Sequence, residues 1–236
     1  MRKHSLIIFF LCIIAVIRAQ TTPDSLTLSP GDTVTVFATE TIKKSTESSG
    51  SNAIPQFKYR NNDSPLGVKL AWGMLLNSAQ NAAMMTALIL GPSEISKWEH
   101  PDRLKWYMIK QKYQNAYTKP PVFDPDLWIT NYIGHPYQGS LYFNTLRSQG
   151  SSFLESSVYN LAQSVLWEYV WEAGLEQPSI QDLIVTPIVG TIMGELSHRA
   201  TAGMRRNGFN WYEKVLVCLI NPYYAVFNGF SNRPSK

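Results

Sequence analysis

His135, Glu168 and Asp182 are the residues of this chain whose types could do chemistry together, although they stand on three separate stretches of sequence. A carboxylate beside an imidazole in a dry site raises the imidazole's basicity, which suits general acid–base work. One imidazole with nearby carboxylates equally suits the holding of a single metal ion. Asn131, Glu172 and Thr186 accompany the three as supporting polar groups. The same set also reads as buried polar groups that satisfy one another and pin helix register, with Asp182 capping its own helix, and this structural reading is preferred. A second set, Arg147, Glu155, Glu195 and His198, with Tyr142 and Arg199 close by, reads as a salt-bridged structural cluster.

Helical spacing motivates both sets. In Leu161, Val165, Glu168, Glu172, and again in Ile184, Ile188, Thr191, Glu195, His198, apolar residues at helical intervals predict a buried row, and charges fall on it. A helix is expected from Pro136 toward Arg147, because proline suits a first helical turn, and Gly150 closes it. Ser151 or Ser152 caps the next helix, with Glu155 placed to complete a capping box from Ser152, and that helix runs to Glu172 and ends at Gly174. Ser179, three residues before Asp182, starts another that runs to about His198 despite Pro187. Gly190 and Gly194 allow another backbone to come close.

Short connections make consecutive helices antiparallel neighbours. Folding at residues 174–177 sets Glu168 and Glu172 beside Ser179 and Asp182, and folding at Gly150 brings Asn131 and His135 to the same level. Glu195 and His198 then belong to the other end of the bundle. Twelve residues at about 1.5 Å each separate the ends by roughly 18 Å, so the two sets cannot share one ion. Glu195-Leu196-Ser197-His198 matches the Glu-x-x-His of di-iron bundles, but a second copy is required and only one is present. There is no His-Glu-x-x-His, no Gly-x-Ser-x-Gly elbow and no phosphate-binding glycine loop. The sequence names no reaction, no metal and no cofactor.

The remaining elements fit an all-α antiparallel bundle of about five to six helices over residues 64–230. Residues 67–90 are long enough to cross a bilayer, yet Asn77, Gln80 and Asn81 at mid-length favour a core helix shielded by neighbours. Residues 95–117 interleave Trp98, Trp106, Tyr107, Tyr113 and Tyr117 with basic residues, a pattern that suits a membrane headgroup layer. An ordinary solvated helix with its aromatic face on the core accounts for it as well and is preferred. Residues 215–227 form a last apolar element interrupted by Asn221-Pro222.

Residues 1–20 read as a secretory signal, with Arg2 and Lys3 ahead of an apolar run over 6–17. Residues 21–63 are a Ser/Thr-rich leader expected to be disordered, with one short strand at 33–37. Without the signal, Cys218 is the only cysteine, so no internal disulfide forms. Of 21 basic and 17 acidic residues, Arg2, Lys3 and Arg18 leave with the signal; 18 against 17 gives a net charge of +1 and removes the electrostatic case for a nucleic-acid partner.

Several runs carry a resemblance. Asn131-Tyr132-Ile133-Gly134-His135-Pro136 with Gly139, then Tyr142, Arg147 and Gly150, come first. Trp167-Glu168-Tyr169 with Glu172 follows, then Pro178-Ser179-Ile180-Gln181-Asp182-Leu183 with Thr186-Pro187 and Gly194-Glu195. Over roughly 65–200 the chain resembles an uncharacterised family of bacterial cell-envelope proteins, one of the domains of unknown function. The resemblance implies bacterial export, an envelope location in the periplasm or at a membrane, and no particular activity; longer relatives continue past the point matching Lys236. The expected function is an exported, membrane-associated helical protein whose polar clusters mainly hold the bundle together. The alternative is a hydrolase of lipid or another envelope substrate, with His135 as base, Glu168 orienting it or sharing a metal ion, and Asp182 completing the site.

Overall fold

A computed structural model describes residues 59–92, 98, 104–123 and 125–230. Within them lie α1 (Leu66–Leu90) and α2 (Trp106–Thr118), then a π turn (Thr130–Gly134) leading straight into α3 (His135–Arg147). α4 (Phe153–Leu166) is prolonged by a second π turn (Trp167–Trp171), and α5 (Ile180–Asn207), α6 (Trp211–Ile220) and α7 (Pro222–Asn228) complete the order. The described residues are all-α, with a single parallel bridge between Val122 and Ser179. The final apolar element is two helices, because Pro222 cannot continue α6 and the Asn221 side chain caps α7 by accepting from the Tyr224 N–H. The expected signal, the strand at 33–37 and the leader up to residue 58 lie outside the described residues. Residues 59–63, grouped with the leader on composition, turn back onto the bundle: Tyr59 Oη lies 3.0 Å from His198 Nε2, and Lys69 Nζ donates to the Asn62 carbonyl. Of the expected helix over 95–117, the helical part begins at Trp106, and 93–97 and 99–103 are outside the described residues.

The caps fall where the local chemistry put them. Ser152 and Glu155 exchange bonds in a capping box, at 3.2 and 2.7 Å, and Ser179 Oγ accepts from the Asp182 N–H at 3.2 Å. Gly150 ends α3 with φ 82°, a conformation that a side chain would strain. α4 runs antiparallel to α3 and α5, so α3 and α5 are parallel. His135 faces Asp182, Gly139 faces Gly190 and Arg147 faces Glu195 in the same order along both chains.

The α3–α5 contact is backbone against backbone. A Cβ on Gly190 would stand 2.7 Å from Gly139 Cα and 3.0 Å from the Ser140 nitrogen, and one on Gly139 would collide with the Thr186 carbonyl oxygen. Such an approach leaves no room for large apolar side chains, so α5 turns a small and polar face inward: Asp182, Thr186, Gly190, Gly194, His198 and Thr201 are buried. Ile184, Ile188, Ile192 and Leu196 are turned out at 52, 58, 56 and 63 % exposure. This corrects the expected buried row. Ile184 and Ile188 lie outside, as does Leu161 at 36 % exposure on α4, because close glycine packing outweighs the burial of branched residues there.

The rest of the interior follows the same rule. Among the described residues 23 buried side chains are polar or charged against 16 apolar, so hydrogen bonding has to hold the centre together. α1 buries Lys69, Gly73, Asn77, Asn81 and Met85 while exposing Trp72 and Leu75. Tyr159 Oη donates to Asn77 Oδ1 at 2.8 Å, Asn77 Nδ2 donates to Tyr223 Oη at 3.0 Å, and Tyr142 Oη donates to Asn81 Oδ1 at 2.7 Å. Asn77 and Asn81 are thus core groups, and the half-buried Gln80 accepts from Tyr223 through Oε1. Burial pushes the phenols of Tyr142 and Tyr159 far above their ordinary range and that of Tyr223 up to about 12, which keeps all three as neutral donors. Asn160 Nδ2 reaches the Pro187 carbonyl, and Asn144 Nδ2 reaches the Gly194 carbonyl and Ser197 Oγ, tying α4 and α3 to α5.

Two glycines of α5 give opposite tests. Gly190→Ala should lower stability by about 1–3 kcal/mol by forcing α3 away, whereas Gly203→Ala, with nothing within 4 Å, should raise it by up to about 1 kcal/mol through helix propensity. Urea unfolding of the two variants would reveal the sign; a Gly190→Ala chain as stable as wild type would mean that the helices do not touch.

Candidate functional site

His135 is set by the first π turn, whose last bond runs from the His135 N–H to the Thr130 carbonyl. Glu168 sits inside the second π turn, and Asp182 in the first turn of α5. Wide turns of this kind re-aim the side chains that follow an otherwise regular helix and recur at functional sites. The three helix ends meet, and one ligand-capable atom from each of His135, Glu168 and Asp182 lies within 4.8 Å of the other two. All three are buried, at 7, 2 and 3 % exposure. His135 Nε2 is 3.8 Å from Asp182 Oδ1, and Glu168 Oε2 accepts from the Ser179 N–H at 2.8 Å. Ser164 Oγ donates to the Asp182 carbonyl at 3.4 Å, which ties α4 to the start of α5.

The supporting residues are distributed around this point. Asn131, within the first π turn, is buried. Thr186, one turn after Asp182 on the same face, is buried and its hydroxyl has no hydrogen-bond partner among the described residues. Glu172 lines a cavity of about 140 Å³ together with Gln80 and Met84 of α1, Trp98, His135 and Trp167. His135 is thus the member of the trio that borders open volume. Burial raises the Glu172 carboxyl well above its ordinary value, and the charges of Glu168, Glu176, Asp126 and Asp182 raise it further. Asp126 and the cavity were not singled out from sequence. Asp126 sits in an irregular proline-flanked loop where periodicity carries no information.

The second set divides. Arg147 Nε meets Glu195 Oε2 at 3.1 Å and Arg199 Nε meets Glu195 Oε1 at 2.8 Å, so Glu195 is clasped by two guanidinium groups. Burial pushes Glu195 up, but the bonds from Arg147 and Arg199 outweigh it and hold the carboxyl below its ordinary value. His198 is buried beside this pair and bonds Tyr59. Burial and the charge of Arg147 press its pKa down to about 4. Glu155 is engaged in the α4 capping box, and Tyr142 faces α1 through Asn81. Cys218 is free and exposed.

The fold is a helical domain with polar clusters at the two ends of the α3–α5 contact. Residues 120–223 match the family model of a domain of unknown function, DUF3943. That span takes in both π turns, His135, Glu168, Asp182, Glu195 and His198, and leaves α1 and α2 outside. No curated protein and no solved structure matches the chain.

Two pH dependences follow. Below about pH 4 the Glu172 carboxyl is protonated both folded and unfolded. As pH rises the unfolded chain releases that proton before the folded one does, so stability falls. Glu172→Gln removes this, and its stability advantage over wild type, read as a difference in urea midpoint, should be absent near pH 4 and grow toward neutrality. For His198 the sign is reversed: the folded pKa of about 4 lies below the ordinary imidazole value of 6.5, so stability is lost as pH falls between the two, by on the order of 3 kcal/mol. His198→Gln should flatten that acid limb; an unchanged limb would place the histidine in solvent.

Proposed function

We propose that this chain is an exported helical protein of the bacterial envelope that lies against a membrane without crossing it, its polar clusters fastening the helices. The observation that carries the reading is the reversal of sides: amides, phenols and carboxylates fill the interior, while branched and aromatic residues face outward on several helices. Ile184, Ile188, Ile192 and Leu196 form one stripe on α5, and Trp211, Val215 and Leu219 stand 77, 54 and 60 % exposed on α6. Fully burying such a side chain yields about 1.5–3 kcal/mol, so half-exposing the α5 stripe alone forgoes on the order of 4 kcal/mol in water. An adjoining hydrocarbon layer recovers that. No helix among the described residues is long and apolar enough to cross a membrane, and outward apolar stripes on helices with a polar inner face suit a place in the membrane interface. The signal-like residues 1–20 and the aromatic, basic α2 support export and contact with headgroups.

Hydrolysis of a lipid at His135 fits less well. The cavity beside it, at about 140 Å³, is smaller than the roughly 300–1,000 Å³ of pockets that enclose an organic ligand.

Flotation with vesicles of three parts phosphatidylcholine to one part phosphatidylglycerol tests the membrane reading. The wild-type chain should float, and the Ile188→Lys, Ile192→Lys double variant, altered only at exposed positions, should bind about tenfold more weakly or less while keeping its helical circular dichroism. A folded wild-type chain that stays at the bottom of the gradient at low salt would overturn the reading.

A further inference from the structure

The geometry points to a divalent-metal site formed by His135, Glu168 and Asp182, taking a first-row transition ion such as Zn²⁺ through one imidazole nitrogen and two carboxylate oxygens. Two ligands each about 2.1 Å from a shared ion stand about 3.0 Å apart at a right angle and about 4.2 Å apart when opposed. The 3.8 Å between His135 Nε2 and Asp182 Oδ1 falls inside this interval and outside the hydrogen-bond range of about 2.7–3.2 Å. The widest separation allowed within the trio, 4.8 Å, closes by about 1.4 Å to reach the roughly 3.4 Å between tetrahedral zinc ligands.

The donor set selects the ion. A nitrogen with two oxygens and no thiolate suits Zn²⁺, Mn²⁺ or Fe²⁺, whereas the imidazole disfavours Mg²⁺ and Ca²⁺, which take oxygen ligands. The outer groups are in place as well: the Ser179 N–H orients Glu168 at 2.8 Å, and Ser179 Oγ is itself held by the Asp182 N–H. Thr186 Oγ1, buried and without a hydrogen-bond partner among the described residues, lies one turn beyond Asp182 as a further oxygen. The cavity bordering His135 supplies both an approach and room for a water as the remaining ligand. Two π turns on different helices deliver two of the three ligands, an arrangement that regular α-helix would not give.

A cation here neutralises two buried acids at the joint of three helices. The inference rests on the fastening role assigned to this cluster, and it is independent of membrane contact. It is tested on the untagged full chain in detergent without lipid, dialysed against chelator and then titrated with Zn²⁺. One ion should bind per chain and the melting temperature should rise by several degrees, with Mg²⁺ giving no rise. His135→Ala and Asp182→Asn should each weaken uptake by about 100-fold or more, while His198→Gln leaves it unchanged. Co²⁺ loading should give visible bands that vanish in His135→Ala. Should that variant not fold, Asp182→Asn and Glu168→Gln carry the comparison. Absence of saturable uptake, or uptake kept in the variants, overturns the metal site. A lower melting temperature of the metal-free His135→Ala chain would in that case leave the fastening role standing, and an unchanged one would remove both.

Discussion

The contact between Gly139 and Gly190 is the constraint from which the rest of the structure follows. With Cβ clearance of only 2.7 Å there, α3 and α5 lie backbone to backbone, and neither helix can place a large side chain at that crossing. Toward the N-terminal side, one turn along α3 and two along α5, this closeness brings His135 to Asp182. Toward the other side it presses Phe143 onto Gly194 and then brings Arg147 to Glu195. The ligand-bearing end and the arginine end are therefore fixed by one crossing. Their separations, twelve residues along α3 and thirteen along α5, agree because the two helices are parallel and rise equally, roughly 18 Å over that length.

A crossing that admits only small residues leaves hydrogen bonds to hold much of the interior. Asn160, Asn144, Asn77 and Asn81 each reach across to another helix, and the phenols that meet them stay protonated because burial raises their pKa. Such bonds yield only about 1 kcal/mol each, but an amide that slips by one turn loses its partner in a dry interior and costs more than that. Register is accordingly well specified even though apolar burial is modest. The small apolar groups, Met85 with Trp98 and Trp167, Leu141 with Tyr223 and Phe227, and Phe209 with Val217 and Tyr224, sit at the flanks of this polar centre.

This inversion also explains what could be read in the sequence. Caps and breaks are local, so Ser152 with Glu155, Ser179 with Asp182, Gly150 and Pro222 located the helices, and antiparallel folding of the chain located the meeting of residues 135, 168 and 182. Facing is not local. Periodicity of Ile184 and Ile188 predicts an inward row on the premise that apolar residues go inside, and the premise fails where glycines let two backbones touch. The π turns were equally illegible, because one extra residue per turn leaves the amino-acid pattern almost unchanged while rotating Glu168 and everything after it. Glu155 had the right neighbours in sequence for the arginine cluster, yet its own cap offered a nearer donor.

The two ends of the α3–α5 pair differ in charge for a reason built into helices. Asp182 occupies the first turn of α5, where free N–H groups favour an anion, and Arg205 and Arg206 occupy the last, where free carbonyls favour a cation. Glu195 and His198 lie toward the cationic side and are already balanced: two guanidinium groups satisfy the acid, and the imidazole stays neutral with its pKa near 4. At the other end the carboxylates of Glu168, Glu176, Asp126 and Asp182 push the Glu172 carboxyl up. Neighbouring carboxylates of like charge favour the protonated form of one another. The Glu195 end thus has its acid already paired with arginine, whereas the Glu172 end gathers carboxyl groups whose protonation responds to pH, and a cavity borders its histidine.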